Sequence, residues 1–182
     1  YTLDDGGDDL VLVKIGRGLG CGLIVGGQRV RGAHFAAGEI GHVTVGTDGG
    51  APCRCGKIGC LETWLSVPNL ERALAAADTT GTVAPDVAAD AAAHANPLRE
   101  AGERLGIALA PVVGALDLSE VVLSGPEHLL DTALLEAVDE TIRARTLARP
   151  DADLVVRLAS DSDDIVLRGA SVLVLWDQLG VA

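Results

Sequence analysis

Residues 10–27, LVLVKIGRGLGCGLIVGG, form the stretch of sequence that decides the fold. The apolar run 10–15 predicts a buried strand, because it is short, rich in branched side chains and followed at once by glycine. Residues 16–22 have the composition of a glycine-rich turn. Residues 23–31 predict a hairpin with short strands at 23–25 and 29–31 around a Gly-Gly pair, which is a strong signal for a two-residue turn.

Further along the chain, strand patterns alternate with helical ones. This alternation predicts an α/β fold with a mostly parallel sheet covered by helices. The expected segments are, in chain order, an extended piece at 38–45, a helix at 63–77 interrupted near Pro68, a linker at 78–84, a helix at 85–93, a helix at 97–116 kinked at Pro111, a strand at 120–124, a helix at 129–148, a strand at 154–158 and a helix at 164–179.

Composition limits the classes of function. The chain has 182 residues, enough for one domain with a core, and 26 acidic against 14 basic residues give a net charge of -12. That charge repels phosphate backbones, so we expect no nucleic-acid binding by this segment alone. No apolar run is long enough to cross a membrane, and we expect a cytoplasmic location. Aromatic residues make up only 2 %, so recognition should depend on hydrogen bonds rather than on ring stacking.

The most specific feature is a cluster that runs from His42 to Glu62. Three of the four cysteines, Cys53, Cys55 and Cys60, fall within eight residues. One histidine and three cysteines are a standard ligand set for structural zinc, and the glycines between the second and third cysteine let the sulfurs converge. The alternative is a set of buried, unligated thiols in a turn-rich loop. We call residues 42–62 the metal loop and predict that it holds zinc.

Two carboxylates flank the metal loop. Glu39 lies three residues before His42, and Glu62 follows the last cysteine. Ionised carboxylates accept hydrogen bonds from neighbouring hydroxyls, which predicts a polyol site beside the metal. The alternatives are a solvent-exposed loop carboxylate for Glu39 and an acid favoured by the helix dipole for Glu62. Arg54 and Lys57 are expected to solvate the surface of the loop.

Three segments, KIGRGLGCGLIVGG, RGAHFAAGEIGH and CRCGKIGCLE, occur in this order and resemble the ROK family of repressors, open reading frames and sugar kinases. The resemblance implies the two-lobed, actin-like (ribonuclease H-like) fold. It implies a sugar bound by Glu39, His42 and Glu62. It also implies a structural zinc ion held by His42, Cys53, Cys55 and Cys60.

The nucleotide motifs of the family are altered in this sequence. Where the family's kinases usually read Gly-Thr-Gly, this chain reads Gly16-Arg17-Gly18. The loop either cradles a phosphate through its N–H groups and Arg17, or is a structural turn. The family's catalytic aspartate and phosphate loop match nothing here, so we predict no catalytic residue. We expect the segment to be the C-terminal lobe of a longer protein, with ATP as an open alternative cofactor.

We therefore expect the sugar-sensing effector domain of a ROK transcriptional regulator. Its DNA contact would come from an N-terminal winged helix-turn-helix domain. The alternative is the C-terminal half of an ATP-dependent sugar kinase of the glucokinase type. A zinc-stabilised interaction module is a third possibility, but carboxylates beside the metal loop argue against it. The apolar helix surface, together with the dimers common among relatives, predicts a homo-oligomer.

Overall fold

A mixed five-stranded sheet organises the part of the chain that the computed structural model describes, residues 7–46, 50–79, 96–147 and 154–160. The order across the sheet is β3-β2-β1-β4-β5. The strands are β1 (Leu10–Ile15), β2 (Leu19–Val25), β3 (Gln28–Arg29), β4 (Glu120–Ser124) and β5 (Val155–Leu158).

The α/β class is confirmed, but the expectation of a mostly parallel sheet is wrong. β1 pairs with β2 antiparallel and β2 with β3 antiparallel, whereas β1–β4 and β4–β5 are parallel. The first three strands follow one another through short turns, which only antiparallel pairing allows. The parallel pairs are those separated by helices. β1 is central, and five of its six residues are apolar and buried, as expected of a strand with neighbours on each side.

The second strand is longer than the sequence indicates. β2 begins at Leu19, so four of the seven residues of the predicted turn 16–22 are strand, and Gly20 pairs with Lys14 of β1. The glycines of this segment have a low propensity for strands, so the sequence does not indicate a strand here. The strand forms because its backbone groups pair with those of the neighbouring strand. The predicted Gly26-Gly27 turn is confirmed. Both residues have positive φ, 55° and 70°, as the favoured hairpin turn requires.

Four α-helices are described: α1 (Glu62–Leu65), α2 (Val67–Thr79), α3 (Pro97–Leu116) and α4 (Thr132–Arg145). The predicted interruption near Pro68 is confirmed, because α1 ends before Ser66 and Pro68 lies in the first turn of α2. Pro111 lies inside α3 without ending it. Asn96 and Asp131 accept hydrogen bonds from backbone N–H groups at the starts of α3 and α4, which fixes where these helices begin.

Several predicted boundaries need correction. Residues 40–42 of the expected extended piece 38–45 form a short 3-10 helix, Ile40–His42. The helix expected from residue 129 begins at Thr132, after a second 3-10 turn, because the Asp131 cap sets its start. Residues 78–79 of the expected linker belong to α2. The rest of that linker and the helices predicted at 85–93 and 164–179 lie outside the described residues.

The core lies on both faces of the sheet. Alternate residues of β1 point into the main core, which packs against α2, α3 and α4, while Leu10 and Leu12 lie on the opposite face with Val122. α3 and α4 approach closely at Gly102, where an added Cβ would lie 2.5 Å from the backbone oxygen of Leu134. Within the described part of the chain, no helix is long and apolar enough to cross a membrane.

Candidate functional site

The four predicted metal ligands converge. One donor atom from each of His42, Cys53, Cys55 and Cys60 lies within 4.8 Å of every other. His42 Nδ1 is 3.7 Å from Cys53 Sγ, and Cys55 Sγ is 3.6 Å from Cys60 Sγ. The residues come from a 3-10 helix and from a loop closed by short bridges, so ligands far apart in sequence share one point.

These distances fit a tetrahedral ion. Metal–thiolate bonds of about 2.3 Å, the zinc value, give a sulfur–sulfur edge of about 3.8 Å in a tetrahedron. The observed sulfur separation of 3.6 Å is close to that edge. Two isolated bridges, Thr44 with Cys60 and Pro52 with Ile58, hold the backbone of the loop. The group can therefore hold a metal ion with one nitrogen and three sulfur ligands.

The thiols differ in their electrostatics. Burial, together with the neighbouring thiols Cys55 and Cys53, raises the pKa of the Cys60 thiol to about 12. The pKa of exposed Cys55 is lowered, chiefly because the backbone N–H of Lys57 stabilises its thiolate. Only thiolates bind metal, so a metal ion must displace the proton of Cys60 when it enters the site.

Glu62 is the buried carboxylate of the site. It is the last residue of the metal loop and the first of α1, and its Oε2 accepts a hydrogen bond of 3.1 Å from the backbone N–H of Leu19. Its Oε1 lies 3.4 Å from Nε of Arg54, which sits between two of the cysteines. The Glu62 side chain is 12 % exposed and that of Arg54 is 80 % exposed. Arg54, expected only to solvate the loop, therefore ties the loop to this carboxylate.

The segment that carries Glu39 and His42 lies against β2. The backbone N–H of Cys21 donates to the oxygen of Gly38 at 2.9 Å. Gly41 abuts the backbone oxygen of Leu19, where an added Cβ would come within 2.4 Å. Glu39 is exposed, at the start of the 3-10 helix. Leu19 thus joins the two parts of the site, since its N–H binds Glu62 and its oxygen contacts the segment that holds Glu39 and His42.

The predicted phosphate loop reaches the same place. Gly16 N–H donates to the oxygen of Gly18 at 3.0 Å, and the Gly16 oxygen accepts from Val67 at the start of α2. Gly18 packs against Glu62: an added Cβ would lie 2.8 Å from Oε2. Arg17 is exposed. The loop is thus joined to the acidic site and to α2, and part of its N–H capacity is used within the protein.

His34, Phe35 and Cys21 lie at the edges of the site. His34 is exposed in the loop after β3, without a described partner for its ring. Phe35 beside it is 79 % exposed and has a left-handed backbone, φ 56°. Cys21, the fourth cysteine, is outside the metal-ligand group, is half-buried and packs against the core.

The contact between Arg54 and Glu62, and the Leu19 backbone junction, were not predicted. The spacing of Arg54 before Glu62 gives no periodic signal, and a backbone N–H carries no side-chain identity. The sequence feature that could have indicated the Arg54 contact is the presence of a basic residue within the metal loop of an acidic chain.

The mixed sheet with the order β3-β2-β1-β4-β5 belongs to the actin-like sugar kinase fold, which solved structures of related proteins share. A crystal structure of a ROK family glucokinase from Streptomyces griseus, in complex with glucose and AMPPNP, matches with a TM-score of 0.72 and 26 % identity, over 93 % of this chain and 61 % of that one. A ROK family transcriptional regulator, a homolog of the E. coli MLC protein, matches with a TM-score of 0.68 and 25 % identity, over 84 % and 42 %.

The chain belongs to the ROK family, whose model matches residues 1–176. A glucokinase from Halalkalibacterium halodurans is 32 % identical over 93 % of this chain and 57 % of its own length. A xylose repressor from Caldicellulosiruptor bescii is 27 % identical over 94 % of this chain and 47 % of its own length. The chain spans about half the length of the curated relatives it matches. Both kinases and repressors are therefore among its relatives.

Proposed function

We propose that this chain is the sugar-binding lobe of a ROK transcriptional regulator, whose DNA contact is made by another part of a longer protein. The observation that carries this choice is the state of the glycine loop. Gly16 N–H is bonded to Gly18, and Leu19 N–H is bonded to Glu62. Arg17 replaces the hydroxyl residue usual in the family's kinases. A loop that uses part of its N–H capacity within the protein is a poor cradle for the phosphates of ATP.

The sugar would lie beside the metal loop. Glu39 and Glu62 supply carboxylates that accept hydrogen bonds from vicinal hydroxyls. Since Nδ1 of His42 lies toward the cysteines, Nε2 is left to bond with a sugar hydroxyl. A neutral hexose or amino sugar fits this set, because its hydroxyls can satisfy each carboxylate without adding charge.

The metal would be zinc, held by His42, Cys53, Cys55 and Cys60. Its role is to keep the metal loop closed so that His42 and Glu62 stay in place. Arg54 extends this support, because it connects the loop directly to Oε1 of Glu62. No chemical step is assigned to the ion.

Regulation follows from differential binding. A sugar that prefers one arrangement of the two lobes shifts the protein toward it, and DNA affinity changes by the same linkage. This chain, with its net charge of -12, would not bind DNA alone.

The test is a DNA mobility shift with the longer protein, with and without glucose, xylose and N-acetylglucosamine, run beside a coupled ATP-turnover assay. The expected result is sugar-dependent DNA binding without ATP consumption. Glu39→Ala and Glu62→Ala should each weaken the sugar response, with Glu71→Ala on the exposed side of α2 as the matched control. Sugar-dependent ATP consumption without DNA binding would overturn the proposal that the protein is a regulator.

A sugar kinase is the second candidate. It is favoured by the 32 % identity to the Halalkalibacterium glucokinase, the highest identity among the relatives described above. In that case this chain is the C-terminal half of the enzyme, Gly16, Arg17 and Gly18 contact the ATP phosphates, and the general base lies in the other half. The ATP-turnover arm of the same experiment tests it.

A further inference from the structure

A cavity of about 300 Å³ lies on the second face of the sheet, beside the β2–β3 hairpin. Leu10, Leu12 and Ile24 give it an apolar wall. Its volume is about ten times the ~30 Å³ that one water molecule occupies in the liquid, so it has room for about ten non-hydrogen atoms. The cavity is separate from the proposed sugar site, because neither carboxylate of that site nor His42 lines it.

Two cations line this apolar cavity, Arg29 and Arg31. Nε of Arg29 is buried and has no hydrogen-bond partner. Within the described residues, neither arginine forms a salt bridge. A buried N–H group without an acceptor needs an explanation, and a bound acceptor is the simplest one.

The remaining lining supports an apolar ligand with an anionic head. Phe35 contributes to the cavity from an exposed position, and its left-handed backbone is costly for a residue with a side chain. The lining residues Arg29 and Arg31 are charged, and both are positive in a chain that is acidic overall.

We propose that this cavity binds a small amphipathic anion, with a carboxylate or phosphate on the Arg29 guanidinium and an apolar body against Leu10, Leu12 and Ile24. Arginine pairs with either head group through two parallel hydrogen bonds, so both belong to the same ligand chemistry. The apolar body supplies affinity through burial, and Arg31 adds to the positive potential at the head group.

The experiment is calorimetric titration of the purified protein with octanoate, octyl phosphate and octanol. Octanoate has ten non-hydrogen atoms, which matches the cavity. Both anions should bind, and octanol should bind at least about tenfold more weakly because it lacks the charged acceptor. The anion that binds more tightly, octanoate or octyl phosphate, identifies the preferred head group. Amide chemical shifts should move for residues 21–37 and leave α4 unchanged.

Variants locate the site. Arg29→Gln should weaken both anions by about tenfold or more, whereas Arg29→Lys should retain part of the affinity. Arg72→Gln, on the exposed side of α2, is the matched control and should bind as the unsubstituted protein does. Thermal melting of each variant confirms that it is folded. No binding of either anion, equal binding of octanol, or unchanged affinity in folded Arg29→Gln would each overturn the proposal.

Discussion

Gly18→Ala tests the geometry of the proposed sugar site with a single methyl group. The added Cβ would lie 2.8 Å from Oε2 of Glu62, closer than a Cβ atom and a neighbouring oxygen normally approach. The carboxylate is the flexible partner and must move. Leu19 N–H then loses its acceptor at 3.1 Å, in a residue that is only 7 % exposed.

The size of the effect follows from that lost hydrogen bond. A buried N–H left without an acceptor costs about 1–3 kcal/mol of folding free energy. For a domain of this size, about 2 kcal/mol lowers the melting temperature by roughly 4–8 °C. If Glu62 also binds the sugar, its displacement should weaken sugar binding by roughly tenfold, since one oriented acceptor is lost.

Gly20→Ala, two residues further along in β2, is the matched control. Nothing lies within 4 Å of a Cβ built on Gly20, so this variant should melt within about 1 °C of the unsubstituted protein and bind sugar equally well. Calorimetric melting and sugar titration of the longer protein measure both quantities. If Gly18→Ala melts and binds as Gly20→Ala does, Glu62 does not occupy the position described and the argument from its contacts fails.

Three further outcomes are expected. Cys55→Ser should lose the metal, measured by elemental analysis, and melt lower, whereas Cys21→Ser should retain one equivalent; equal metal content in the two variants would contradict the ligand set. Gly38→Ala should destabilise the fold by about 2–4 kcal/mol in denaturant titrations, because its φ is 97° and its Cβ would overlap the backbone oxygen of Cys21; an unchanged midpoint would refute this. Alkylation of Cys21 in the metal-loaded protein should stay slow at pH 8 and accelerate as the pH rises from 9 toward 11, because burial raises the pKa of this thiol to about 11; full reaction at pH 8 would contradict the burial.

The sequence predicted the elements whose side chains carry the signal. Apolar runs located β1 and β4, and cysteine spacing brought together the metal ligands that the structure places within 4.8 Å. β2 was shortened in the prediction, because its glycines pair through backbone groups that only the neighbouring strand reveals. The pairing directions of the sheet depend on how the elements are connected in space, so strand patterns alone did not give them.

The candidate site, too, was predicted only in part from the sequence. Glu39, His42 and Glu62 could be named from their place around the metal loop, and their role in binding a sugar stays a prediction. The Arg54–Glu62 contact and the Leu19 junction were missed, because both depend on the loop folding back across β2. The cavity beside Arg29 was missed for a related reason: its walls come from three strands and a loop, and no single segment carries a pattern for it.

The close backbone contacts at Gly38 and Gly41 also limit how this protein can change over evolutionary time. At both positions β2 leaves no room for a side chain, so the segment that carries Glu39 and His42 cannot acquire one there without moving. Arg17, His34 and Arg54 are exposed, and their side chains can be exchanged without displacing the backbone. A descendant with a different ligand preference should therefore differ first at these exposed positions, on a backbone that stays where it is.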